Sequence, residues 1–156
     1  MEYMDEVENG PGDDSSEGEL EYKEEHRFPN GAIYKGGWKN GKRHGEGTQI
    51  WPDGARYEGQ WRNNKAHGKG KFWHVDGEIV EGEWKDDKAN GYGVYIHANG
   101  AKYAGDWKND LQDGFGIETW ADGSKYEGEY KEGTKHGKGK YLWNDNSNYD
   151  GYWFEN

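Results

Sequence analysis

The chain of 156 residues has no cysteine, which excludes disulfide staples, a thiolate metal site and a cysteine nucleophile. Leucine, isoleucine, valine and phenylalanine together fill only 16 positions, about a tenth of the chain and half the ~20% below which a packed core is doubtful. No stretch approaches the ~20 apolar residues of a membrane-spanning helix. The acidic opening, residues 1–20, has neither the apolar segment of a secretory signal nor the basic pattern of a mitochondrial presequence, so a soluble, cytoplasmic protein is expected. Basic charge is short as well, with 20 Lys and Arg against 31 Asp and Glu. Without a cationic face for phosphates, nucleic acid is excluded as a partner.

What the chain does have is 9 Trp, 12 Tyr and 27 Gly. A buried aromatic hides roughly 150–250 Å², so the rings replace the missing aliphatic core. Glycine at more than twice its usual ~7%, without helical periodicity, points to β-structure with rings laid over bare backbone. The charge is uneven. Residues 1–27 carry eleven acids against Lys23 and Arg27, whereas the other 129 residues hold 20 acids and 18 bases. The first 27 residues read as an acidic, flexible tail, and residues 28–156 as the folded body.

That body repeats every 23 residues without insertion. The first copy runs through Tyr34, Gly36, Trp38, His44, Gly45, Gly47, Trp51, Asp53 and Gly54. Full repeats begin at residues 34, 57, 80, 103 and 126, preceded by a partial one at 28–33 and followed by another at 149–156. Each reads as two strands. Tyr57-Glu-Gly-Gln-Trp61 alternates apolar or small positions with polar ones, and Gly68-Lys-Gly-Lys-Phe72 repeats the alternation after a polar loop. Asp53-Gly54, Asp76-Gly77, Asn99-Gly100 and Asp122-Gly123 carry the hairpin signal of a turn with φ > 0 at both residues. Asn40-Gly41 and Asp86-Asp87 are second polar pairs inside the repeats. The expected fold is all-β, an elongated single-layer antiparallel meander of tandem hairpins with eleven strands, each bonded to the next.

Y-x-G-x-W, a polar loop, H-G-x-G and a D-G turn at this period resemble the MORN (membrane occupation and recognition nexus) repeat, over residues 28–156. Val80 departs from the leading Tyr, Tyr130 from the Trp, and Asn90 and Asp113 from the His. The resemblance implies a docking array. Families with such repeats include radial-spoke-head and other ciliary proteins, junctophilins, cytoskeletal proteins, and arrays attached to lipid kinases or methyltransferases. It therefore implies a protein-interaction scaffold, with a cilium axoneme or other cytoskeletal assembly as the expected location. A phospholipid-binding module, or the targeting segment of a larger enzyme, is the alternative.

Parity nominates the sites. Tyr34, Trp38, Tyr57, Trp61, Trp84, Tyr103, Trp107, Tyr126, Tyr130 and Trp153 share one face, either as core or as a groove for a helix or extended peptide of a larger assembly. On the other face Tyr92, Val94, Ile96, Phe115 and Ile117 form an apolar patch between the lysine pairs Lys69, Lys71 and Lys138, Lys140. The patch is open to three readings: a partner site, a surface covered by another part of the chain, or the result of a bulge that reverses parity. The lysines are candidates for lipid phosphate. His44, His67 and His136 share one repeat position, but equivalent residues two strands apart sit roughly 10 Å from each other, too far for ligand bonds of about 2.0–2.1 Å to one zinc ion. They read as loop imidazoles bonded to turn backbone. No nucleophile elbow, H-E-x-x-H or paired carboxylate is present, and Gly68-Lys-Gly-Lys71 lacks the phosphate-loop spacing. A non-enzyme without metal or cofactor is expected.

Overall fold

The computed structural model describes residues 18–153. These form twelve strands and, among the described residues, no helix. In chain order they are β1 Glu21–Arg27, β2 Ile33–Lys39, β3 Lys42–Ile50, β4 Arg56–Arg62, β5 Lys65–Trp73, β6 Ile79–Lys85, β7 Lys88–Ile96, β8 Lys102–Lys108, β9 Leu111–Thr119, β10 Lys125–Lys131, β11 Thr134–Leu142 and β12 Asn148–Trp153. Their order in the single open sheet is their order in the chain. The twelfth strand, one more than expected, is β1. It lies within the span assigned to the acidic tail and pairs with β2, His26 opposite Tyr34 and Arg27 opposite Ile33. The repeat foreshadows it, since 23 residues separate Glu21–Arg27 from the 44–50 segment of β3.

Contacts divide the chain into two compact units. The first takes in residues up to Val75 together with Glu83–Lys88, the second Asp76–Gly82 and everything from Ala89 on. Each unit is built on a row of glycines facing one another across the strands. In the first the row is Gly36, Gly47, Gly59 and Gly70; in the second it is Gly82, Gly93, Gly105, Gly116, Gly128, Gly139 and Gly151. Tyrosine rings lie on these rows. A Cβ added to Gly47 would meet the Tyr34 hydroxyl at 2.1 Å, and one on Gly70 the Tyr57 hydroxyl at the same distance. The tyrosine hydroxyl then donates to the carbonyl three residues on, Tyr34 to Gly37 at 2.8 Å and Tyr57 to Gln60 at 2.9 Å.

Tryptophans close the ladder. Tyr34 meets Trp38 and Trp61 edge to face at 5.3 and 5.4 Å, and Tyr57 meets Trp61 and Trp84 at 5.0 and 5.6 Å. Each edge-to-face pair is worth about 0.5–1.5 kcal/mol beyond area burial. The indoles donate back to the glycine row, Trp61 to the Gly47 carbonyl at 3.0 Å, Trp84 to Gly70 at 2.9 Å and Trp107 to Gly93 at 3.1 Å. Where Val80 stands in the tyrosine place, the nearest atom to a Cβ on Gly93 is the Trp107 ring, at 3.1 Å. Into the first unit is packed a cation: Arg43 is fully buried, bonds Gln49 and Asn64, and lies 4.7 Å over the Trp61 ring. Burial lowers its pKa to about 10.

The turns correct the expectation. Asp53-Gly54 is not a two-residue turn. Gly54 N–H donates to the Trp51 carbonyl and Trp51 N–H to the Ala55 carbonyl, so Pro52 joins the pair in a longer loop. Only Gly54 takes positive φ, at 96°, while Asp53 accepts the Ala55 N–H through its side chain at 3.0 Å. The left-handed two-residue turn belongs to the polar pairs inside the repeats, where Asn63 and Asn64 take φ of 48° and 70°, and Asn109 and Asp110 take 50° and 70°. The first glycine of H-G-x-G has its own task. Gly45 and Gly68 take φ of 79° and 92° where the register between sister strands slips, as in a glycine bulge.

Two outcomes test this packing. Gly70→Ala is expected to cost about 2–3 kcal/mol through the Tyr57 clash, and far less in a Tyr57→Val background, which removes the ring as Val80 does in repeat three, where a Cβ on Gly93 meets nothing nearer than 3.1 Å; urea denaturation of the double-mutant cycle measures this. Burial raises the pKa of Tyr34, Tyr57, Tyr103 and Tyr130, and takes Tyr126 to about 12. An acid whose folded pKa lies above its ordinary value of 10 stabilises the fold fully below pH 10 and loses that contribution as pH rises through the folded value. Stability should fall by about 1.4 kcal/mol per pH unit for each such tyrosine above pH 10. The share of the 295 nm phenolate absorbance that belongs to these buried tyrosines should then appear together with loss of the β circular-dichroism signal, separate from the share of exposed rings such as Tyr92 and Tyr152.

Candidate functional site

On the face away from the tyrosines, side chains directly opposite one another at mid-strand are polar or of opposite charge towards both ends of the sheet. In the first unit Thr48, Glu58 and Lys71 stand in line across three strands; at the far end of the second, Glu127, Lys140 and Asp150 do the same. Such pairs satisfy one another and leave a solvated face. Between β7 and β9 the pattern fails. Val94 stands opposite Ala104, and Ala104 opposite Ile117. Tyr92, Ile96 and Phe115 flank this line and are 55%, 38% and 54% exposed. Contiguous apolar area of this kind makes the patch a candidate binding surface.

The middle strand of the three supplies Ala104, the smallest side chain at a position that holds Lys35, Glu58, Glu81, Glu127 and Asp150 elsewhere. The patch is therefore a shallow trough along β8, with a floor at Ala104 and walls from β7 and β9 about 10 Å apart. Its ends carry opposite charge. Asp106 stands opposite Tyr92 and accepts the Phe115 N–H at 3.1 Å. Glu129 stands opposite Phe115 and accepts the Lys138 N–H at 2.9 Å. At the other end Lys102 is exposed opposite Ile96 and Thr119.

The remaining nominated residues have other surroundings. Tyr34, Trp38, Tyr57, Trp61, Trp84, Tyr103, Trp107, Tyr126 and Tyr130 are buried in the ladder, and Trp153 is half-buried. Their surfaces are spent on one another and on glycine. Lys71 stands opposite Glu58 and lies 4.8 Å over the Trp73 ring, which also carries the Arg56 guanidinium at 4.1 Å. Lys140 stands between Glu127 and Asp150, Lys138 is opposite Tyr152, and Lys69 is exposed beside Gln60, which takes its N–H. His44 accepts the N–H of turn residue Asn63 through Nδ1 at 3.4 Å; Asn90 accepts that of Asn109 and Asp113 that of Glu132 in the same way. Three residue types serve this place because each offers an acceptor. Burial and the nearby Lys39 and Arg62 hold the His44 pKa below its usual value, which keeps the acceptor lone pair. His44 and His67 both line a cleft of about 390 Å³ in the first unit, with Tyr22, Glu46 and Arg62. Among the described residues no group of three or more His, Cys, Asp and Glu is placed to hold a metal ion.

The repeat geometry has a counterpart among known families. The MORN repeat matches residues 34–56, 57–79, 81–102, 103–125 and 126–148. The chain belongs to the MORN repeat family. The third match begins after Val80, where the leading tyrosine is missing, and the patch falls in MORN repeats three and four. No curated protein matches the chain. Among solved structures it is similar to the TCP domain of SAS-4 (dCPAP) of Drosophila melanogaster, in complex with a proline rich motif of Ana2 (dSTIL), at 10% identity and a TM-score of 0.38 over 94% of this chain and 97% of that one. It is also similar to the wild-type TCP10 domain of Danio rerio CPAP, at 13% identity and a TM-score of 0.32, over 80% of this chain and 63% of that one. Likeness at these scores carries no role over to this MORN protein.

If acceptor chemistry alone fixes the histidine place, His44→Asn should leave stability within about 0.5 kcal/mol of wild type and His44→Ala should lose about 1 kcal/mol. Thermal unfolding of both variants checks the pair.

Proposed function

We propose that this MORN protein is a non-catalytic scaffold that binds another protein through the apolar trough of repeats three and four. The observation that carries this reading is the break in cross-strand charge pairing at Val94, Ala104 and Ile117, with Tyr92, Ile96 and Phe115 exposed around it. Exposing these side chains does nothing for the fold, whose rings pack on the opposite face. The buried ladder serves the scaffold by holding strands in register, and docking falls to the trough. Membership in a family of docking arrays supports the same reading, and a cytoskeletal assembly, ciliary or other, is the setting we propose for it.

The lipid reading has less support. Lys71 and Lys140 have carboxylates directly opposite them, and a polybasic surface that binds anionic lipid needs its charges unopposed. Among the described residues no helix is long and apolar enough to cross a membrane.

Ile96→Lys with Ile117→Lys is expected to keep the β circular-dichroism spectrum while abolishing partner recovery in affinity purification with mass spectrometry of the tagged chain. Undiminished recovery would dismiss the trough. Sedimentation with anionic vesicles that falls with salt and with Lys69→Glu and Lys71→Glu would favour the lipid reading instead.

A further inference from the structure

Resting on the docking reading above, we infer that the occupant of the trough is an amphipathic helix of a partner protein, with its basic N-terminal end over Asp106 and Glu129. Three observations lead there. First, the site is a sheet face and not an edge. β8 is bonded to β7 on one side and β9 on the other, and β9 in turn to β10. No backbone group of the trough is left to receive an added strand, so recognition falls to side chains, and an extended peptide loses its usual source of affinity. Second, the strands that carry the walls lie about 10 Å apart, so a helix about 10–12 Å across laid over Ala104 meets Val94 on one flank and Ile117 on the other. The run from Tyr92 to Ile96 spans about 13 Å, which about nine helical residues cover with apolar positions at i, i+3, i+4 and i+7.

Third, the charges give the helix a direction. Asp106 and Glu129 are both exposed, and each commits one carboxylate oxygen to a backbone N–H, at Phe115 and Lys138. The positive end of a helix dipole and basic residues in its first turns complement that end of the trough. Lys102 at the opposite end complements the helix C-terminus. Residues 1–17 of this chain are a poor occupant by charge, because they hold seven acids and no base. The same carboxylates disfavour an anionic membrane.

The test is selection of a displayed library of 18-residue helical peptides on the full chain, with counter-selection on the Ile117→Lys variant. Enriched peptides should carry the apolar stripe and Lys or Arg in their first two turns. A synthetic peptide of the enriched sequence should bind the Asp106→Asn, Glu129→Gln protein about five- to tenfold more weakly, since these isosteres keep the N–H acceptors and remove only charge. Enrichment without a basic bias, or of extended or proline-rich sequences, or equal affinity for the isosteric protein, would overturn the helix and its direction while leaving the docking surface standing. No enrichment over the Ile117→Lys variant would overturn both. So would a concentration-dependent dimer, seen by sedimentation and lost in that variant, since the trough would then hold a second copy of the chain.

Discussion

A tyrosine ring resting on two facing glycines leaves no space for a Cβ, and the rest of the architecture follows from that close approach. The ring is fixed at one end by its hydroxyl on a carbonyl three residues ahead, and on its flanks by the edges of two tryptophans. One of those tryptophans belongs to the next repeat, and its indole reaches back to a glycine carbonyl of the previous one. The sheet thus acquires a core on one face chiefly from aromatic rings, with alanines between them, Val80 and no buried leucine. The opposite face holds none of the ladder's rings.

That division of labour explains which parts of the fold the sequence disclosed. The 23-residue period, the strand pairs and the ring-on-glycine contacts follow from spacing and parity, because a glycine two residues after a tyrosine has few other uses. β1 was hidden because Tyr22 and Glu24 stand where later repeats have glycine, and because its many carboxylates look like disordered tail. The turn assignment went astray for a physical reason too. Asp-Gly satisfies both a two-residue turn and a longer loop in which the aspartate caps the second residue on, and composition does not separate them. What decided the matter was the polar pair inside the repeat. Asn64 and Asp87 donate their N–H groups to the Arg43 and Ala66 carbonyls and accept the Arg43 and Ala66 N–H through their side chains, bonds that reach across a whole hairpin.

The patch was legible as five residues, and its shape was not. Tyr92, Val94, Ile96, Phe115 and Ile117 declared themselves by parity on second strands. Ala104 did not, since alanine on a first strand carries no signal until the register sets it between Val94 and Ile117. Asp106 and Glu129 looked like ordinary surface acids. The repeats themselves act as controls, because the same three-strand line holds Thr48, Glu58 and Lys71 in one place and Glu127, Lys140 and Asp150 in another. The departure at repeats three and four is thus a local exception to a rule the molecule otherwise keeps.

The stitching of each turn to the hairpin before it has a kinetic consequence. The Asp87 bond to Ala66 and the Asp110 bond to Ala89 both span 21 residues, and strands pair only with their sequence neighbours. Ordering therefore never has to close a long loop, and the entropic barrier set by distant contacts is absent. Any adjacent pair of hairpins can serve as a nucleus from which order spreads in both directions. For the same reason duplication of a 23-residue block adds a self-consistent unit, while the gain of a single residue between a tyrosine and its facing glycine throws that repeat's ring off its seat. Such a chain can change its length over generations more easily than it can change its spacing.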